Sequence, residues 1–178
     1  MIHLFLIIAL AVSLCCGWAQ AKSYQTQQEA IHSAFPSQQV GRKTLFLTQE
    51  QVQRIERLAR TKVDSRIVTY YVAKDASGVA GVAFFDRQLV RTMPVTFDVV
   101  VKPSGNLDRV EILSFDEPDD YLPPLRWLQL YRNRVLNDDL AIGHAIPHIT
   151  GASLTSQAMN DGVRRALATF EVCLKGTL

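Results

Sequence analysis

Seven consecutive residues, Thr150-Gly151-Ala152-Ser153-Leu154-Thr155-Ser156, crowd four hydroxyl side chains and a glycine into a stretch with the look of a tight turn. Directly after them Met159, Val163, Ala166, Leu167, Phe170 and Leu174 recur at helical spacing, so one stripe of a helix faces a core. The pattern places the helix start near Thr155 or Ser156, both good N-cap residues. Free N–H groups in a first helical turn, with the positive end of the helix dipole behind them, favour an anion. Gly151 lets the backbone approach that anion closely. The chemistry these types and spacings suggest is a seat for a phosphate group, beside hydroxyls able to serve as nucleophiles.

The segment resembles the Ser/Thr-Gly-Ala-Thr/Ser flavinylation motif of the FMN-binding domain found in the C subunit of the sodium-translocating NADH:quinone reductase and the G subunit of the Rnf complex. In that family a flavin transferase joins the phosphate of FMN to the fourth residue of the motif. The resemblance implies Ser153 as the acceptor, with Thr150, Gly151 and Ala152 shaping the turn and Leu154 and Thr155 following at the helix start. The chain departs from the family twice. Serine stands where threonine is usual, keeping the hydroxyl and losing the methyl that restricts its rotamer, and Pro147 stands where an aspartate is usual. Rnf-type relatives also carry a Glu-Thr-Pro-Gly loop near the flavin ring. Asp116-Glu117-Pro118 matches it in part, which implies Glu117 as a contact.

The elements that must position these residues are legible in outline. Thr26-Gln27-Gln28-Glu29 forms a capping box, followed by helix-spaced Ala30, Ile31, Ala34 and Phe35 up to Pro36. Thr48-Gln49-Glu50-Gln51 forms a second box, opening a helix with an apolar stripe of Val52, Ile55, Leu58 and Ala59. From Arg66 onward β-branched and aromatic runs alternate with turn residues. Ile67 to Ala73 and Val79 to Phe85 flank Asp75-Ala76-Ser77-Gly78; Val95 to Val101 and Leu107 to Phe115 flank Pro103-Ser104-Gly105-Asn106. Close-sequence strands joined by tight turns pair antiparallel, so the chain reads as α+β: a sheet of hairpins packed with N-terminal helices and a C-terminal amphipathic helix. Leu125 to Leu136 is expected to be a further helix. No internal repeat interrupts this order, which is also the order of the family.

Residues Ile2 to Trp18 are mostly apolar and Ala19-Gln20-Ala21 has the A-x-A form of a cleavage site, so residues 1–21 are expected to be a signal peptide and residues 22–178 one domain. The rival is an uncleaved N-terminal membrane anchor, for which the run is of marginal length. A lipobox is disfavoured because the residues before Cys15 and Cys16 are not small. Cys15 and Cys16 leave with the signal, and the remaining Cys173 excludes an internal disulfide or a cysteine-held metal site. The 19 basic and 17 acidic residues leave a formal charge of +2, which gives no reason to expect nucleic acid or anionic lipid as a partner.

Other candidate chemistry is weaker. His144 and His148 are four apart, yet Pro147 between them argues against a helical metal pair. The acidic set Asp116, Glu117, Asp119 and Asp120 reads first as a solvated loop and second as a cation or acid–base site. Tyr121, Trp127 and Tyr131 could offer an isoalloxazine ring a flat apolar surface, with core packing as the alternative, even for Trp127. There is no dinucleotide fingerprint, P-loop, serine elbow or catalytic cysteine signature. The resemblance therefore implies an exported electron-transfer flavoprotein with FMN esterified to Ser153. Its implied partners are a flavin transferase and membrane-associated redox proteins. A non-covalent FMN or phosphate-binding module and a cofactor-free accessory subunit remain as alternatives.

Overall fold

The computed structural model describes residues 22–178, and the expected signal segment 1–21 lies outside the described residues. Both capping boxes close as the sequence requires. Thr26 caps α1 (Gln27–Ala34) and Thr48 caps α2 (Gln49–Ala59), each accepting the N3 amide at 3.2 Å while the N3 side chain returns to the cap's own N–H. Two N-terminal orphan donors are satisfied in each helix.

Six strands form one antiparallel sheet: β1 (Lys22–Ser23), β2 (Gln39–Phe46), β3 (Ile67–Asp75), β4 (Gly78–Leu89), β5 (Pro94–Val101) and β6 (Leu107–Phe115), in the order β1-β6-β5-β4-β3-β2. The expected hairpins are β3–β4 and β5–β6. In the first turn Asp75 accepts the amide of Ser77 at 2.8 Å, and in the second Gly105 N–H donates to the Lys102 carbonyl at 2.8 Å. Strands β1 and β2 carry no sequence signal of their own. β2 is a largely exposed edge strand with polar Gln39, Arg42, Lys43 and Thr44, held by its register against β3.

One face of the sheet carries the main core, in which Val82, Phe84, Phe97, Val99, Val101 and Leu107 pack under the C-terminal helix α4 (Ser153–Cys173). The predicted stripe Met159, Val163, Ala166, Leu167, Phe170 and Leu174 is buried throughout. Helix α2 leans on α4 through Val52, Ile55, Ala59 and Ala168, while Leu58 from the expected stripe is 39% exposed. The other face is covered by α1, where Phe35 meets Ala73, Ala83 and Val100. α4 approaches the sheet tightly at Gly162, whose missing side chain makes room for the Asp86 carboxylate and the tip of Phe97.

The expected helix over Leu125–Leu136 is shorter than its pattern. α3 spans Leu125–Leu128 and passes into a 3-10 turn over Gln129–Tyr131. Leu107 then captures the chain: its N–H donates to the Arg134 carbonyl at 2.7 Å and its carbonyl accepts from Asn133 at 2.8 Å. Those two sheet-like bonds, with Asn133 in the left-handed region at φ 62°, end the helix before the periodicity does.

Candidate functional site

The turn before α4 is a β-turn in which Ala152 N–H donates to the Ile149 carbonyl at 2.9 Å. Gly151 occupies its third position at φ +83°, a conformation that strains an L side chain. Helix α4 begins earlier than the sequence suggested. Ser153 is its first residue, Ala152 is the cap and supplies no side-chain bond, and the first helical bond runs from Ser156 N–H to the Ala152 carbonyl at 3.0 Å. Thr155 and Ser156 are therefore first-turn residues and not caps. Ser156 folds its hydroxyl back onto the carbonyls of Ala152 and Ser153 at 3.2 and 3.0 Å. The physical reason is the glycine turn, which already reverses the chain at 149–152 and lets the helical bonds start at once.

The early start leaves the amides of Ser153, Leu154 and Thr155 ahead of the first helical bond, with no side chain capping them. They adjoin a recess of about 230 Å³ lined by Val90, Arg91, Glu117, Tyr121 and residues Gly151 to Thr155. Thr155 is 1% exposed and its Oγ1 has no hydrogen-bond partner. A buried hydroxyl without a partner is costly, and here it stands in the wall of a polar recess at the open end of a helix of 21 residues. Ser153 is exposed, and Leu154 is 52% exposed.

Glu117 is brought to the same recess, in a role its sequence context did not disclose. It is 7% exposed, and its Oε1 accepts the amides of Arg91, Thr92 and Met93 at 3.2, 2.8 and 3.0 Å. The bonds from Thr92 and Met93 do most to hold its carboxyl below the ordinary carboxylate range. The reading of residues 116–120 as a solvated loop fails at Glu117 and in part at Asp116, whose Oδ1 is buried without a partner, whereas Asp119 and Asp120 are exposed. Glu117 clasps the β4–β5 turn, which is further closed by Val90 N–H on the Met93 carbonyl at 3.1 Å. β4 runs to Leu89, four residues beyond the strand expected from sequence, so Val90 and Arg91 reach the site from a segment with no motif. The Arg91 guanidinium lies 5.0 Å from the centre of the Tyr121 ring.

Trp127 is not brought to the recess. It is 4% exposed in the core, meets Tyr131 edge-on at 5.3 Å, and donates its indole N–H to the Pro147 carbonyl at 2.8 Å. It acts on the site at one remove, by fixing the loop three residues ahead of Thr150. Thr150 is exposed at the entry to the turn and is not in the recess wall. Tyr131 is fully buried and donates its hydroxyl to Asn160 Oδ1 at 3.1 Å, leaving Tyr121 as the aromatic beside the motif. His144 and His148 are exposed on the preceding loop, and among the described residues no group of three or more His, Cys, Asp or Glu side chains is placed to hold a metal ion.

Two larger clefts lie elsewhere. One, of about 430 Å³, opens where β3 and β4 part beyond the Tyr70–Phe84 pair, and the other, of about 460 Å³, lies beside Arg57 and Glu171. Neither includes a residue of the 150–156 turn. The uncapped helix start and the unpartnered hydroxyl both lie at the smaller recess.

Residues 92–168 match the family model described as "FMN-binding domain", a span that runs from the clasped turn through Glu117 and most of α4 and indicates FMN as the cofactor. No curated protein matches the chain. Among solved structures the chain is similar to NqrC of Shewanella oneidensis, at 17% identity and a TM-score of 0.49 over 82% of this chain and 83% of that one. No helix among the described residues is long and apolar enough to cross a membrane.

Proposed function

We propose that this chain, whose residues 92–168 belong to the FMN-binding domain family, carries one FMN esterified through its phosphate to Ser153 and relays electrons among membrane-associated redox proteins outside the cytoplasm. The observation that carries this reading is the uncapped start of α4, where an exposed serine hydroxyl adjoins a recess walled by a buried, unpartnered Thr155 Oγ1. The residues present suit a phosphate ester. Three amides and the helix dipole face the single negative charge that a diester keeps, and Thr155 Oγ1 can donate to one of its oxygens.

FMN, when bound, supplies the one- and two-electron chemistry that no side chain here provides. The chain's own part is attachment and placement. Ser153 Oγ forms the new bond to phosphorus as the pyrophosphate bond of FAD breaks; AMP leaves and the hydroxyl proton is released. A flavin transferase is the implied partner for that step. At about 230 Å³ the recess is smaller than the roughly 300–1,000 Å³ of a site that encloses a whole ligand, so it takes the phosphate end and leaves the ring near the surface. An exposed ring edge suits electron exchange with another protein. Tethering keeps the local concentration of the cofactor high where a dissociated one would be lost.

The test is chemical. Co-produced with a flavin transferase and exported, the protein keeps flavin fluorescence on a denaturing gel, gains the mass of FMN less one water, and begins at Lys22. Ser153→Ala abolishes both flavin signals, and Ser153→Thr preserves or improves them. Flavin that stays with the folded protein but leaves on denaturation indicates the non-covalent module, to which Pro147 and Ser153 in place of the family's usual residues would lead. Labelling that survives Ser153→Ala but not Thr155→Ala refutes the assignment of the acceptor, and a colourless protein refutes the flavoprotein reading.

A further inference from the structure

We propose that Arg91 makes the recess selective for a phosphorylated flavin over its unphosphorylated form, by placing a guanidinium in the recess that the open start of α4 also lines. The inference rests on the proposed function and names a residue outside the motif and outside the matched span, which begins at residue 92.

The turn that carries Arg91 is held from beneath. Glu117 accepts three successive backbone amides, of residues 91, 92 and 93, and the main chain on either side is tied by Val90 to Met93 at 3.1 Å and by Asp116 to Pro94 at 3.2 Å. The side chain of Arg91 takes no part in this clasp. It forms no ion pair within 4.0 Å among the described residues and rests over the Tyr121 ring, near enough to Glu117 for its charge to help hold that carboxyl ionised. Ser153 and the unpartnered Thr155 hydroxyl line the same recess.

Charge makes the cation necessary. Glu117 is the carboxylate in the recess wall, and its charge opposes any anion that enters. Without Arg91 the ionisable side chains around a bound phosphate sum to a negative charge, which offsets the helix end. With it they sum to zero, and the amides and the dipole act unopposed. A guanidinium also presents paired donors that match two phosphate oxygens, which an ammonium does not.

The clasp uses the N–H of residue 91 and not its side chain, so substitutions there leave the turn intact. The full chain, produced without a flavin transferase, is titrated with FMN and with riboflavin, following the flavin fluorescence. The wild type is expected to favour FMN. Arg91→Met is expected to weaken FMN binding by about tenfold, the scale of one charge-assisted contact at a partly exposed site, and to leave riboflavin binding unchanged. Arg91→Lys retains part of the preference, and added salt erodes it in the wild type but not in Arg91→Met. An Arg91→Met protein with the wild-type FMN-to-riboflavin ratio overturns the role of Arg91 while leaving the flavin site standing. A wild type that binds FMN and riboflavin equally overturns the phosphate selectivity and the role of Arg91 with it, whereas one that binds neither and takes no label from a flavin transferase overturns the flavin site as well.

Discussion

Arg164 is the side chain whose loss should most disturb the frame behind the site. It is 4% exposed on α4, and its guanidinium donates to four carbonyls: Ala59 at 2.7 Å, Leu58 at 3.0 Å, Asn137 at 2.8 Å and Leu140 at 2.6 Å. Two of these belong to the last turn of α2, where carbonyls lack helical donors, and two to the loop that leads towards the motif. Arg164→Met keeps the stem and removes every donor. Leu58 and Asn137 are exposed enough for water to replace the lost bonds, whereas Ala59 and Leu140 are each 1% exposed. Two stranded carbonyls cost about 1–3 kcal/mol each. Relief of the guanidinium's own desolvation returns part of that, as expected for any buried charge. The net expectation is a loss of about 3 kcal/mol, with Arg164→Lys losing less because an ammonium still offers three donors. Equilibrium unfolding in urea at unchanged slope measures it. A loss below about 1 kcal/mol for Arg164→Met would show that the four bonds are decorative and that apolar packing alone joins α2 to α4.

Two further expectations follow from buried groups. In Gly162→Ala the new Cβ would stand 2.5 Å from Asp86 Oδ2 and 2.6 Å from Phe97 Cζ, so despite the roughly 1 kcal/mol gained from helix propensity the variant should be less stable by about 1–2 kcal/mol; a stabilised variant in a thermal melt would mean that α4 does not approach the sheet this closely. Asp98 is 1% exposed, and burial pushes its carboxyl up to about 6 against the opposing pull of Arg109 at 2.9 Å. The folded protein thus retains a proton that the unfolded chain releases near pH 4, and this group's contribution to stability falls as pH rises from about 4 to 6. Asp98→Asn should flatten that part of the stability profile, and an unchanged slope would contradict the burial effect.

Elements whose signals are local were legible in the sequence. The capping boxes of α1 and α2, the β3–β4 and β5–β6 hairpins and the buried stripe of α4 depend on residues a few positions apart, which meet whatever the rest of the chain does. The hydroxyl-rich turn was legible for the same reason, since Gly151 and its neighbours set their own geometry. Tertiary structure decided the rest. β2 is a strand because β3 offers it a partner, and α3 is short because Leu107 takes the bonds of Asn133 and Arg134. The walls of the recess come from three stretches distant in sequence: the β4–β5 turn, the loop after β6 and the start of α4. Glu117 enters it by accepting amides more than 20 residues away, and Trp127 is kept out by a bond to Pro147. A short sequence pattern records which groups a segment offers, but which of them face one another, and which hydroxyl is left without a partner, follows from how the sheet and α4 pack.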